Sequence, residues 1–172
     1  MKALPSALIF DLDQTLVDSR VALDARNARR WQQVYSLIPK FAIYEGVSEL
    51  LGSIEEMRLP VVIVTSSPNS YATRVIRHFQ IRVQHLVCYH DTRLHKPHPA
   101  PIALAIERLG ISPDDVWSIG DEAKDVAASK AAGAVAGGAL WGASDPASLA
   151  AAAPDFLDRD PGDLASRLAA TR

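Results

Sequence analysis

The sequence predicts an α/β fold in which a parallel sheet carries helices on both faces. Three observations lead there. Short apolar runs, several rich in β-branched residues, recur at 7–10, 60–64, 116–119 and 135–141. Each is too short for a helix and too uniformly apolar for a strand with one wet face, which is how buried parallel strands read. Segments with apolar residues at helical spacing separate them, and such alternation winds into a parallel sheet through right-handed crossovers. Finally, the unusual polar residues stand directly after the strand runs, at the strand ends where sheets of this kind bind ligands.

Taken in order, Ala7-Leu8-Ile9-Phe10 is the first strand, ending at Asp11. Residues 12–19 are polar and turn-rich. From Arg20 to Leu37 the pattern is helical, as one long helix or two short ones, with Val21, Ala25, Ala28, Trp31 or Gln32, and Tyr35 on one face and Pro39 as its stop. Glu45 to Met57 is a second helix, carrying Val47, Leu50, Leu51 and Ile54 on its apolar stripe. Pro60 to Val64 is a strand, Ser70 to Phe79 a helix, and His85 to Tyr89 a short strand. Pro99 to Leu109 is a helix with proline at its start and Gly110 beyond its end. Val116 to Ile119 is a strand, Ala123 to Ala132 a helix closed by Gly133, and Val135 to Trp141 a strand softened by glycine. The alanine-rich 147–153 stretch is a helix or a solvated connection. Phe156-Leu157 is a last short strand, and Asp163 to Ala170 a terminal helix.

With 172 residues, the chain is expected to be one domain carrying a small insertion. Its net charge of −2 gives no field that would draw it to nucleic acid or to a membrane surface. No apolar run approaches the length of a membrane span. The single cysteine, Cys88, fits a reducing compartment. Residues 1–5 lack the basic start, apolar stretch and cleavage site of a signal peptide, so the expectation is a cytoplasmic protein.

Four polar clusters follow strands. In Asp11-Leu12-Asp13-Gln14-Thr15, two carboxylates two residues apart point the same way if extended geometry continues. Close carboxylates repel unless a proton or a cation sits between them, and a hard cation such as Mg²⁺ suits their oxygens. The same residues would also serve as an Asp-rich turn, with Asp13 and Thr15 making local bonds. Thr65-Ser66 offers a hydroxyl and exposed amides at a helix start, a setting for phosphate; Ser67 or Asn69 capping the helix is the plainer use. Lys96, before Pro97, could neutralise a phosphate oxygen or be a solvated lysine. Gly120-Asp121-Glu122-Ala123-Lys124-Asp125 puts Asp121 at a strand end and Asp125 one helical turn on, or supplies acids to a helix dipole.

Taken together, in this order and spacing, the clusters resemble the four motifs of the haloacid dehalogenase superfamily of phosphatases. Residues 9–16 resemble the first motif, Ile63-Val64-Thr65 the second, Lys96-Pro97 the third and 119–125 the fourth, while 46–51 is similar to the helix opening after the cap in phosphoglycolate-phosphatase-like members. The resemblance implies a Rossmann-like three-layer αβα sandwich, with a core of residues 1–16 and 45–172 and a short helical cap insertion at 17–44. It implies that Asp11 attacks phosphorus and forms an aspartyl-phosphate, and that Asp13 protonates the leaving oxygen and then activates water. Thr65, the Ser66 amide and Lys96 would bind the phosphoryl oxygens. Asp11, the carbonyl of Asp13, and Asp121 would hold Mg²⁺, with Asp125 orienting the metal shell or pairing with Lys96. An acid at position 13 favours phosphate substrates, whose leaving alkoxide needs a proton.

The chain departs from the family in three places. Gln14 and His95 stand where glycine is common, and the insertion is about half the usual four-helix cap, too short for such a bundle. An open site, a large substrate, low intrinsic activity or a homo-oligomer whose second copy closes the site would each follow. The expected reaction is Mg²⁺-dependent hydrolysis of a small phosphate monoester. The rivals are a phosphomutase, which must exclude water, and a weakly active binding protein on the same fold. Arg20, Arg26, Arg29 and Arg30 concentrate charge in the insertion, read as a solvated helix face or as an attractor of anionic substrate. His90, His95 and His98 match no zinc spacing, and Glu122 is an acidic neighbour without an assigned role.

Overall fold

A computed structural model describes residues 4–171. The outer limits expected for the core, residues 1 and 172, and most of the N-terminal segment read for a signal peptide lie outside that range.

Six parallel strands form the central sheet: β1 (Ala7–Phe10), β4 (Val61–Val64), β5 (His85–Val87), β6 (Val116–Gly120), β7 (Val135–Ala139) and β8 (Phe156–Asp158). Their order is β5-β4-β1-β6-β7-β8. β1 lies between β4 and β6, with Ile9 opposite Val62 and Ser118. All residues of β1, β4, β6 and β7 are buried, which explains their apolar character, broken only by Ser118 of β6, whose hydroxyl accepts from Ser129 Oγ.

Helices cover both faces. On one side Leu8, Phe10, Ile63 and Ile119 pack with α3 (Val47–Glu56), α4 (Asn69–His78) and α8 (Pro161–Ala170). On the other, Ile9, Val62, Val64 and Val116 pack with α5 (Ala100–Leu109) and α6 (Ala123–Ala131). A smaller cluster joins α6 to α7 (Pro146–Ala151) through Val126 and Leu149. The alanine-rich stretch is therefore a helix, begun by Asp145, whose carboxylate accepts from the Ser148 amide.

The insertion between β1 and α3 is small and helical. Two two-residue strands, β2 (Val17–Asp18) and β3 (Ala42–Ile43), pair antiparallel at its base. Between them run α1 (Leu23–Asn27) and α2 (Trp31–Leu37). Of the two alternatives read for 20–37, one long helix or two short ones, the structure has two short ones, parted at Arg29, whose φ is +53°, a conformation that no helix continues through. The expected face also shifts. Val21 is 53% exposed, whereas Ala22, Ala25, Val34 and Ile38 are buried and join the main core with Phe41. The insertion thus shares the core of the sheet and has none of its own.

The first strand ends in a tight turn, because Gln14 sits at φ +63°. That conformation explains why glycine is common there, since it places a side chain under strain in any other residue. Gly142 faces the same turn, and a Cβ there would lie 1.5 Å from the Gln14 carbonyl oxygen. The loop after β7 consequently approaches the first strand end with no room for a side chain.

Candidate active site

The carboxyl ends of β1, β4 and β6 open onto a cavity of about 460 Å³. Asp11, Asp13, Thr65, Ser66 and Asp121 line it, so three distant strand ends meet there. Lys96 and Asp125 lie directly beneath. The Lys96 ammonium stands 2.7 Å from Asp11 Oδ1 and 2.7 Å from Asp125 Oδ1, and donates to the Val64 carbonyl at 3.0 Å. Its contact with Asp125 is an ion pair. Lys96 is therefore a buried cation joining two strand ends, and the solvated-lysine reading does not hold.

Asp125 is held from the other side as well, since its Oδ2 accepts from the Glu122 amide at 3.0 Å. A Cβ on Gly120 would lie 2.4 Å from the Asp125 Cβ. Glycine at 120 is what allows the acid to fold back beneath β6 toward the lysine. The dipole reading of these acids captures only this helix-start bond.

Asp121 accepts from the Thr15 hydroxyl at 2.9 Å. Thr15 makes this long-range bond instead of the local turn bond expected of it, and its carbonyl accepts from Trp141 Nε1 at 2.8 Å. Thr65 Oγ1 accepts from the Ser67 amide at 3.1 Å, which leaves its own O–H to donate. Ser66 is exposed at the cavity wall. Neither Ser67 nor Asn69 caps α4: Pro68 occupies the cap position, with no side-chain bond. Ser67 turns inward to Asp13.

Asp13 is the most heavily bonded acid in the site. Oδ1 accepts from Ser19 Oγ at 2.6 Å and from the Tyr71 hydroxyl at 2.5 Å. Oδ2 accepts from Arg26 at 2.8 Å and from Ser67 Oγ at 3.1 Å. Arg26 was expected on a solvated face, yet its side chain is only 17% exposed. The other arginines of the insertion behave differently: Arg20 pairs with Asp18 at the surface, and Arg29 and Arg30 are exposed. Tyr71, Ser19 and Ser67 carried no motif, because each becomes a site residue only through tertiary packing.

The electrostatics are unbalanced. Burial, the nearby Asp125 and, less strongly, Asp13 push Asp11 up from an ordinary 3.8 to about 7, against the pull of Lys96. Burial and the charges of Asp11 and Asp125 push Asp121 up to about 8. Lys96 is driven upward despite its burial, because Asp11 and Asp125 both favour its charged form. Among the described residues, Lys96 is the only fully buried cation beside these acids. Oxygen donors crowded with excess negative charge fit a hard divalent ion. Two of the expected ligands are carboxylates and the third a main-chain carbonyl, so no cluster of three acidic, histidine or cysteine side chains is needed, and none occurs among the described residues.

Among the described residues, His90, His95 and His98 belong to no cluster of metal-ligating side chains. His95 stacks on Tyr89 at 4.0 Å, and His90 meets the same ring edge-on. His98 Nδ1 accepts from the Ala100 amide. Glu122 pairs with Lys124 at the cavity rim. No helix among the described residues is long and apolar enough to cross a membrane.

Comparison with known proteins places this geometry in a family. The chain is 29% identical to the phosphoglycolate phosphatase of Escherichia coli K12 over 124 residues, covering 71% of this chain and 49% of the relative. It thus spans about half the length of the curated relatives it matches. A crystal structure of a "predicted phosphoglycolate phosphatase" from Haemophilus somnus 129pt superposes with a TM-score of 0.83 at 20% identity, over 97% of this chain and 99% of that one. A hydrolase from Pseudomonas syringae gives 0.80 at 24% identity, over 95% and 98%. The profile of the haloacid dehalogenase-like hydrolases matches residues 24–138. That span holds Thr65, Lys96, Asp121 and Asp125, and begins beyond Asp11 and Asp13. The chain therefore belongs to the haloacid dehalogenase-like hydrolase family.

Proposed function

We propose that the chain is a Mg²⁺-dependent phosphatase that hydrolyses a small organic phosphate monoester through an aspartyl-phosphate on Asp11. One observation carries the reading: a single buried amine, Lys96 Nζ, lies 2.7 Å from Asp11, at the end of β1, and 2.7 Å from Asp125, in the first turn of α6, beside a cavity that also receives Asp13, Thr65 and Asp121. A buried lysine shared in this way favours the ionised form of Asp11 against its burial and aims it, as a nucleophile requires.

In this reading Asp11 attacks phosphorus while Asp13 delivers a proton to the departing oxygen. Asp13 then takes a proton from water, which attacks the acyl phosphate and frees Asp11. Thr65, the Ser66 amide and Lys96 stabilise the equatorial oxygens of the transferring group. Asp11, Asp121 and the Asp13 carbonyl would hold Mg²⁺, which when bound offsets the repulsion between carboxylate and phosphate. Asp125 acts on Lys96. We take residues 17–44 as a reduced cap on a core of 1–16 and 45–172. The relatives named phosphoglycolate phosphatase support a small phosphorylated substrate.

The test is turnover of p-nitrophenyl phosphate with and without Mg²⁺. Wild-type protein is expected to release p-nitrophenol only with the ion, and Asp11→Asn to reduce the rate to background. Equal turnover by Asp11→Asn would remove Asp11 as nucleophile.

A further inference from the structure

Arg26 is the point at which the insertion reaches the chemistry. Its guanidinium donates to Ser19 Oγ at 2.9 Å, to Asp13 Oδ2 at 2.8 Å and to Ser67 Oγ at 3.2 Å. The same group lies 5.2 Å from the centre of the Tyr71 ring, whose hydroxyl bonds the other oxygen of Asp13. Arginine is thus pinned on one face by an aromatic ring and at its edge by three oxygens. A guanidinium held in this way gives Asp13 Oδ2 a charged donor fixed in place, which single hydroxyl donors on rotating bonds do not.

We propose that Arg26 is a positioning residue for Asp13, holding the carboxyl in the orientation from which it exchanges protons with the leaving oxygen and with water. The proposal rests on the roles assigned above to Asp11 and Asp13. It assigns the short insertion a catalytic duty that needs no lid: Arg26 leaves α1 and enters the site from a segment already packed into the main core. Two alternatives make different demands. A substrate-binding arginine would act on KM, and a purely structural one would act on stability without regard to Asp13.

The experiment is a double-mutant cycle on p-nitrophenyl phosphate turnover in Mg²⁺. Arg26→Ala is expected to lower kcat by about 10–100-fold, the scale of a misplaced proton-transfer group. KM should stay within about twofold, since no binding contact is lost. Arg26→Lys should recover part of kcat, because a point charge reaches Asp13 but cannot bridge three oxygens. In an Asp13→Asn background Arg26→Ala should cost almost nothing more, as expected of groups that act as a unit. Multiplying losses in the double variant, or a rise in KM with kcat intact, would overturn the proposal. A crystal structure of Arg26→Ala gives a readout independent of turnover: the Asp13 carboxyl should change rotamer, and an unmoved carboxyl refutes positioning. Were the wild-type protein inert toward every phosphate ester, the proposed function would fall, and the rotamer would still decide the role of Arg26.

Discussion

Replacing Lys96 by methionine tests the electrostatic design most directly. The lysine side chain is 3% exposed, and its ammonium contacts two carboxylates at 2.7 Å and a carbonyl at 3.0 Å. Methionine fills the same space without the charge. Breaking a buried ion pair by removing one partner costs about 3–5 kcal/mol, because the remaining charge is left uncompensated. For a domain of this size that corresponds to a melting-temperature loss of about 6–20 °C. The loss should depend on pH. Asp11 already lies near 7 with the lysine present, and removing the cation takes away the influence that lowers it. A carboxylate whose folded pKa exceeds its unfolded value binds extra protons in the native state, so stability falls as pH rises through that window. The deficit of Lys96→Met should therefore be smallest near pH 5, where Asp11 is protonated in the folded protein, and largest near pH 8. Thermal melts of wild type and variant across pH 5–8, in metal-free buffer, measure it. A deficit that is absent, or equal at both ends of the range, would refute the reasoning.

The metal-free wild type should itself lose stability between pH 5 and 8, since Asp11 at about 7 and Asp121 at about 8 both resist ionisation when folded. Mg²⁺ at a hundred times its dissociation constant should restore about 2.7 kcal/mol, more effectively at pH 8 than at pH 5, and an unchanged melting temperature at pH 8 would argue against the ion site. Gly120→Ala would place a methyl 2.4 Å from the Asp125 Cβ and push that acid from Lys96. The overpacking should cost about 1–3 kcal/mol in urea titration and depress p-nitrophenyl phosphate turnover. Tyr71→Phe removes the 2.5 Å bond to Asp13 while keeping the ring against Trp31 and Phe41. A loss of about 1.5–3 kcal/mol is expected for a bond to a charged acceptor, read by the same titration.

Much of the scaffold was legible in the sequence because burial on both faces leaves a plain signature: β1 and β4 appear as unbroken apolar runs, and Gly110 and Gly133 mark helix ends at φ +67° and +83°. The insertion was less legible. A two-residue pairing such as Val17 with Ile43 has no periodicity to detect, and the break at Arg29 comes from one residue's backbone rather than from proline or glycine. Asp11, Asp13 and Asp121 were readable because they follow strands, and Lys96 and Asp125 because their order and spacing completed the set. Arg26, Ser19, Ser67 and Tyr71 were not, since serine, arginine and tyrosine are ordinary surface residues until two separate stretches of chain, 19–26 and 67–71, bring them onto one carboxylate. Gln14 marks the boundary: its departure from glycine was visible, but the reason, a left-handed turn, needed the backbone.

The short antiparallel rung at the base of the insertion has an evolutionary and engineering consequence. Because Asp18 and Ala42 are neighbours across it, the polypeptide leaves and re-enters the scaffold at almost one point. Closing a loop of doubled length costs only about 0.6 kcal/mol more. Segments of very different size can therefore be spliced at this stem while the nucleophile's strand keeps its register, and the trade lies in what the new segment brings to Asp13 in place of Arg26.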